Sequence, residues 1–221
     1  MATGYDDTSR GGFDARLSWG AILGPALLTA AWIGLGLVSP GFTLFGRRIA
    51  PYDWIAQPIS GLGLGPTGPW MNAAFLAAGV LLLAGVVGAL AAFDDLSPKT
   101  RALATGLLAL TPAGMAMDGV FTLESFLPHF AGFGLATLGP VAGFAATGWM
   151  LRKSPGRRGL ARLLMWASPV TLGLFVWAMA TFDPATSGAG RGIAGLSERV
   201  LIVFVCAVYA ALGWAGLRAR R

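Results

Sequence analysis

The sequence predicts an all-α fold, a polytopic membrane bundle of six transmembrane helices with both termini in the cytoplasm. Of its 221 residues, 55% are hydrophobic and only 12% are charged, whereas charged residues approach a quarter of an ordinary soluble domain. The apolar residues form six runs, each long enough to cross a bilayer. The basic residues concentrate in alternate loops. This composition excludes a soluble domain, and the single cysteine, Cys206, excludes a disulfide scaffold.

The six runs lie between charged breaks or breaks rich in proline and glycine, and about 20 apolar helical residues suffice to cross the hydrocarbon core. The first run is too long for the apolar region of a signal peptide, so it is predicted to be a retained anchor. A cytoplasmic tail, residues 1–16, precedes the membrane domain, residues 17–217, and a second tail, residues 218–221, follows it. The predicted spans are 17–38, 70–92, 102–122, 130–151, 162–181 and 198–217.

Lysine and arginine counts predict the orientation. Twelve of the sixteen basic residues lie on the side of the N-terminus, and four lie on the other side, namely Arg47, Arg48, Arg191 and Arg199. Because basic loops resist translocation, the side with twelve is predicted to be cytoplasmic. The sequence pI near 10.4 therefore reflects topology, and no nucleic-acid partner is expected.

The outer connection between the first two spans is about thirty residues long, and loops of this length tend to be functional. Asp53 and Gln57 are four residues apart, so a short helix ending near Gln57 would place both on one face. Pro58 and the glycines and prolines after it would end such a helix. The segment is predicted to be re-entrant or interfacial, and the alternative is a surface cap that only seals the bundle.

Asp118 is the most informative single residue, because it lies in the outer part of predicted span three. A carboxyl group at that depth costs several kcal/mol unless it is paired, hydrated or protonated, so an intramembrane acid indicates a functional site. The alternative is that Asp118 is shallow enough to reach interfacial water. Glu124 and His129 follow on the next outer connection, where the only histidine could shuttle a proton or bond a loop carbonyl.

The last outer loop is rich in glycine and leads into span six. Ser197 is predicted to be the N-cap of that helix, with Glu198 in the first turn, where the helix dipole favours an acid. This account leaves Arg191 and Arg199 unexplained on the side that otherwise carries few basic residues. They could neutralise outer carboxylates such as Asp53 or Asp118, or clamp an anionic lipid head group.

Several classes of chemistry are excluded by what the sequence lacks. One histidine and one cysteine cannot supply a three-ligand zinc site of nitrogen and sulfur, or a haem held by two histidines. No P-loop, dinucleotide-binding glycine motif or nucleophile elbow is present. No lysine lies inside a predicted span, which excludes a retinal Schiff base. The sequence therefore predicts no cofactor and no metal.

Short motifs follow one another along nearly the whole chain. They are Gln57-Pro58-Ile59-Ser60, Leu62-Gly63, Trp70-Met71-Asn72-Ala73-Ala74-Phe75, Gly119-Val120-Phe121, His129 and Gly195-Leu196-Ser197-Glu198-Arg199. On these motifs the chain resembles the multipass membrane family called domain of unknown function 998. That family usually has His-Pro-Ile-Ser at the first motif, so Gln57 weakens any mechanism that needs a titratable group there. The resemblance implies a prokaryotic six-span membrane protein without an assigned reaction. The expected location is the bacterial inner membrane.

Three functions fit these residues. The leading hypothesis is a polar pocket that faces the outer leaflet and binds a membrane lipid or an isoprenoid-like hydrophobic molecule. The second is an intramembrane acid–base enzyme, in which a carboxylic acid protonates an apolar substrate as in small membrane terpene cyclases. The third is a structural subunit of a homo- or hetero-oligomeric membrane complex. The catalytic candidates are Asp118, His129, Asp53 and Glu198, and the ligand-binding candidates are Gln57, Ser60, Arg191, Arg199 and Glu124.

Overall fold

The apolar runs form helices, because in a bilayer a helix satisfies its own backbone N–H and C=O groups. The computed structural model describes residues 16–219. Its helices are α1 (Gly20–Val38), α2 (Gly68–Ala91), α3 (Pro98–Leu108), α4 (Leu110–Val120), α5 (Phe126–Leu151), α6 (Arg158–Thr181), the short α7 (Pro184–Gly188) and α8 (Ala194–Arg218).

Within residues 16–219, six helical stretches are long and apolar enough to cross a membrane, with α3 and α4 together forming the third. The predicted all-α bundle of six transmembrane helices is therefore confirmed, and the chain is a multipass membrane protein. The orientation with both termini in the cytoplasm stays a prediction. Of the two predicted tails, residues 1–15 and residues 220–221 lie outside the described residues.

The start of α8 corrects the predicted N-cap. The helix begins at Ala194, and Ser197 lies inside it, where its N–H donates to the carbonyl of Ile193 at 3.0 Å. The Ser197 hydroxyl donates to the carbonyl of Ala194 at 3.0 Å and lies 2.6 Å from the hydroxyl of Thr181 at the end of α6. The buried position of Ser197 against α6 thus extends the helix by one turn, which a local capping signal does not reveal.

The spans form a ring in the order α1, α2, α4, α5, α6 and α8, with α8 returning to α1 and also contacting α2. Large apolar side chains such as Leu37, Val80 and Trp166 are exposed around the bundle, as expected for surfaces that face lipid. Glycines bring the helix backbones together, and a Cβ atom at Gly24 of α1 would lie 2.7 Å from the carbonyl oxygen of Ala78 in α2.

The third span is broken at Ala109, between α3 and α4. Pro112 has no N–H, so it cannot donate to the carbonyl of Leu108, four residues earlier. The buried Tyr209 of α8 donates its hydroxyl to that carbonyl at 2.8 Å, and the Thr111 hydroxyl lies 2.9 Å away. A side chain from another helix therefore satisfies the acceptor that proline leaves free.

Residues 39–67, here called the cap segment, cover one end of the bundle, which we call the loop end. The segment contains an antiparallel hairpin of β1 (Phe42–Leu44) and β2 (Arg47–Ile49), followed by 3-10 turns at Ile59–Gly63 and Gly65–Thr67. The predicted short helix is reduced to one turn, in which the N–H of Gln57 donates to the carbonyl of Asp53 at 2.9 Å. Pro58 prevents its continuation.

At the opposite end, arginines hold the connections between the spans. Arg101 donates to the carbonyls of Leu90 and Phe93 at 3.1 and 3.0 Å, where α2 ends. Arg157 forms an ion pair with Asp95 at 2.8 Å. Partial burial opposes the charge of Asp95, but hydrogen bonds from Ser154 and Arg157 outweigh it, so the pKa of this carboxyl lies below its usual value.

The close contact of α1 with α2 leads to a testable prediction. We expect Gly24→Leu to lower the midpoint of thermal unfolding in detergent, because overpacking costs about 1–3 kcal/mol and the new side chain would meet the backbone of α2. Gly173→Leu is the matched control, since a Cβ atom at Gly173 in α6 would have nothing within 4 Å. Equal shifts for the two variants would contradict this packing.

Candidate functional site

Two adjoining cavities lie beneath the cap segment at the loop end. The inner cavity lies between α1, α2, α4, α5 and α8, and leaves about 30 Å³ for the centres of water-sized groups. This is room for roughly two such groups. Its polar lining consists of Ser60, Thr111, Asp118, His129, Glu198 and Cys206. The remaining lining residues are apolar.

The outer cavity, here called the vestibule, lies between the start of α5, the end of α6 and the start of α8, and leaves about 60 Å³. Phe126, Phe130 and Phe182 line it and are themselves 54%, 47% and 39% exposed. The vestibule therefore reaches the lateral surface of the bundle. Ser60, His129, Phe133 and Glu198 line both cavities, so these four residues form the boundary between them.

Asp118 and His129 form the buried polar end of the inner cavity. Both are 7% exposed, and 3.5 Å separates the His129 Nδ1 atom from the Asp118 Oδ1 atom. The Nδ1 atom donates to the carbonyl of Phe121 at 2.7 Å, since a carbonyl can only accept, and the neutral ring then has Nε2 as its acceptor. Asp118 Oδ1 has no hydrogen-bond partner among the described residues. Gly132 makes room for it, since a Cβ there would meet this oxygen.

Glu198 joins the cap segment to the cavities. It is half-buried, and its Oε2 atom accepts the N–H of Ile59 at 3.1 Å. The bond fixes the position of Ser60, the next residue, at the boundary between the cavities. A helix residue and a loop residue that are far apart in sequence thus become neighbours in the site.

Arg199 is buried beside Glu198 and anchors the cap segment. Its Nη1 atom lies 2.7, 2.9 and 2.8 Å from the carbonyl oxygens of Trp54, Gln57 and Gly195, and Nη2 donates to the hydroxyl of Tyr52. No carboxylate of residues 16–219 lies within 4.0 Å of this guanidinium. Backbone oxygens and the neighbouring aromatic rings therefore replace water around Nη1 and Nη2, whereas Nε is buried without a hydrogen-bond partner among the described residues.

The other predicted residues of the cap segment bond within the segment. Asp53 Oδ1 accepts the N–H groups of Ile55 and Ala56 at 2.7 and 2.8 Å, and Gln57 Oε1 accepts the N–H of Asp53 at 3.1 Å. Tyr52 donates to the carbonyl of Pro58 at 3.0 Å. Burial raises the pKa of Tyr52 above its usual range despite the neighbouring Arg199, so this phenol stays protonated and able to donate.

The chain matches a family model described as "Protein of unknown function (DUF998)" over residues 22–215. It belongs to this family. The resemblance indicated by the sequence motifs is thus confirmed over most of the chain. Neither the curated proteins nor the solved structures contain a significant match. Family membership supplies no reaction, so the function has to be argued from the geometry of the site.

Four of the nine predicted site residues line the cavities. They are Ser60, Asp118, His129 and Glu198. Asp53, Gln57 and Arg199 lie in and beneath the cap segment instead, with polar groups bonded to one another or to the backbone. Glu124 and Arg191 are exposed at the loop end, outside both linings.

Sequence reasoning missed the aromatic wall of the vestibule and the role of Tyr52. Phe126, Phe130 and Phe133 are spaced four and three residues apart on α5, with ring centroids 5.8 and 6.4 Å apart along the series. This spacing places them on one face of a helix, so the pattern was available in the sequence. Tyr52 carried no such signal, because its partner Arg199 is 147 residues away.

The Arg199 contacts predict a strong and local effect of substitution. We expect Arg199→Gln to destabilise the protein by about 3 kcal/mol, because buried acceptors lose charged donors, and to expose the cap segment. Thermal unfolding and limited proteolysis between residues 39 and 67 measure the two effects. Arg191→Gln is the control, an exposed arginine at the same end. A cap segment that resists protease equally in both variants would contradict the anchoring role.

Proposed function

We propose that this protein binds a single-chain, lipid-like amphiphile at the loop end, in the outer leaflet of the bacterial inner membrane. The observation that carries the proposal is that the apolar vestibule and the polar inner cavity adjoin each other. An aromatic vestibule open to the side of the bundle adjoins a cavity with two carboxyl groups and a histidine. An amphiphile combines the same two properties, an apolar chain and a polar head.

The apolar part of the vestibule favours an alkyl chain through van der Waals contact and not through the hydrophobic effect. Lipid tails are as apolar as phenylalanine, so transfer from the bilayer yields little hydrophobic free energy. Van der Waals contact with the rings of Phe126, Phe130 and Phe182 is what the vestibule adds. Selectivity must therefore come from the polar end. There a head group would supply the hydrogen bond that Asp118 Oδ1 lacks within the described protein.

Most of the predicted site residues have one of two roles in this proposal. Ser60, Asp118, His129 and Glu198 contact the head group, since these four line the cavities. Three others support the site from outside the inner cavity. Asp53, Gln57 and Arg199 keep the cap segment above the cavity, whereas the exposed Glu124 and Arg191 line neither cavity and have no role in this proposal.

Photolabelling tests whether the vestibule is occupied. The protein is reconstituted in vesicles with a trace of a long-chain alcohol that carries a diazirine and an alkyne, and labelled peptides are identified by mass spectrometry. We expect labelling near residues 126–133 and 178–182. Met179→Trp should reduce it severalfold, because the indole would fill the vestibule that Met179 lines.

The matched control is Val176→Trp, an exposed position on the same helix that lines neither cavity. Its labelling should equal that of the unaltered protein. Labelling spread evenly over the lipid-facing surface, with no response to Met179→Trp, would contradict the proposal.

The Asp118–His129 pair favours a second candidate function, an intramembrane acid–base enzyme. A carboxylic acid would donate a proton to an apolar substrate, and a neighbouring base would remove a proton at the end, so the reaction is an isomerisation or cyclisation without net loss of atoms. The support is the 3.5 Å separation of the two side chains in one buried cavity with Glu198.

Asp118→Asn separates catalysis from binding. If the protein is an enzyme, cells with this variant should accumulate substrate and lack product in their lipid extracts, because an amide cannot act as the acid. Membrane levels of the protein should be unchanged, and Glu124→Gln, an exposed acid at the same end, should leave the lipid profile normal. An identical profile for Asp118→Asn and the unaltered protein would exclude the enzyme.

A further inference from the structure

We infer that the head group bound in the inner cavity is a small hydrogen-bond donor, a hydroxyl or a primary ammonium group, and not a phosphate or a carboxylate. The inference rests on the proposed function and specifies its ligand class. It follows from three properties of the inner cavity: its hydrogen-bond donors and acceptors, the charges of its side chains and its volume.

Among the carboxyl and imidazole groups of the cavity, acceptors outnumber donors, and the hydroxyl and thiol groups in the lining can serve as either. Asp118 Oδ1 is buried without a partner among residues 16–219. Of Glu198, only Oε2 is engaged within the described chain, by the N–H of Ile59. The His129 Nδ1 proton is used by the carbonyl of Phe121, which makes Nε2 an acceptor in the neutral ring. A ligand that brings its own donor therefore complements this cavity, whereas one that brings only acceptors does not.

The charges favour the same class of head group. Two carboxyl groups line the cavity, and no lysine or arginine of the described part of the chain lines it. The nearby Arg199 does not line the cavity, and it directs Nη1 and Nη2 to Trp54, Gln57 and Tyr52 in the cap segment, while its Nε is buried without a hydrogen-bond partner among the described residues. An anionic head group would therefore find no fixed cation in the cavity. An ammonium group would find carboxyl oxygens, with the rings of Phe75 and Phe133 in the lining.

The volume limits the head group to a few atoms. About 30 Å³ of the inner cavity is open to the centres of water-sized groups, which is room for roughly two such groups. A hydroxymethyl or aminomethyl group has this size. A phosphodiester with its substituent is several times larger, so the head groups of common phospholipids do not fit, although a chain can extend through the vestibule.

Four ligands with one chain and different head groups test the inference. Hexadecanol, hexadecylamine, hexadecanoate and hexadecyl phosphate are added to the purified protein in nanodiscs, and bound ligand is measured by native mass spectrometry against empty nanodiscs. We expect the alcohol and the amine to bind at least about tenfold more tightly than the two anions, because the cavity lacks cations and is rich in acceptors.

Asp118→Asn should reduce that preference to within about threefold, since the amide replaces an acceptor oxygen with a donor. The near-isosteric change should leave the unfolding midpoint unaltered, and Glu198→Gln provides a second variant should it not. Glu124→Gln, which lines neither cavity, should retain the full preference.

The outcomes separate the inference from the function on which it rests. Binding of all four ligands with equal strength, or stronger binding of the anions, would overturn the inference and leave the proposed function standing. Binding of none of them above the level of empty nanodiscs, together with absent photolabelling of the vestibule, would overturn both. A preference for donors that Asp118→Asn and Glu198→Gln do not change would overturn the assignment to the inner cavity.

Discussion

One buried cation, Arg199, holds the loop end of this protein together. A guanidinium away from water needs acceptors from the fold itself, and Arg199 finds them in three backbone carbonyls and the hydroxyl of Tyr52. Most of these acceptors belong to the cap segment. The contacts that solvate the cation therefore also hold Ile59 and Ser60 over the inner cavity. The position of the cap segment above the site thus depends on α8, the helix that carries Arg199 and lines the same cavity.

Close packing of the helices determines where polar groups can lie. Glycine at position 132 leaves the room that the Asp118 carboxyl occupies, and a Cβ at Gly114 would meet the backbone of the same helix, α5. The acid and His129 are thus brought together by backbones that approach closely, not by a local sequence motif. The same principle explains why Tyr209 can reach the carbonyl that Pro112 leaves without a partner.

Part of the candidate site was predictable, because a titratable side chain within or at the end of an apolar run is visible without knowledge of packing. Asp118, His129 and Glu198 were identified in this way, and they line one cavity. The hydrogen-bond partners of Asp53, Gln57 and Arg199 were not predictable, since they depend on how the cap segment folds. Ser197 shows the same limit, because its burial against Thr181 outweighs a local capping preference.

The sequence by itself determined the number of membrane-spanning helices and the scarcity of lysine and arginine near the loop end. Both follow from local composition, since a helix of apolar residues satisfies its backbone wherever it lies in the bilayer. Only the tertiary structure decided which polar groups became partners. Glu198 bonds to a residue 139 positions away, and Arg199 to one 147 positions away. Such pairings depend on which helix ends meet beneath the cap segment, and residue spacing along the chain carries no information about that.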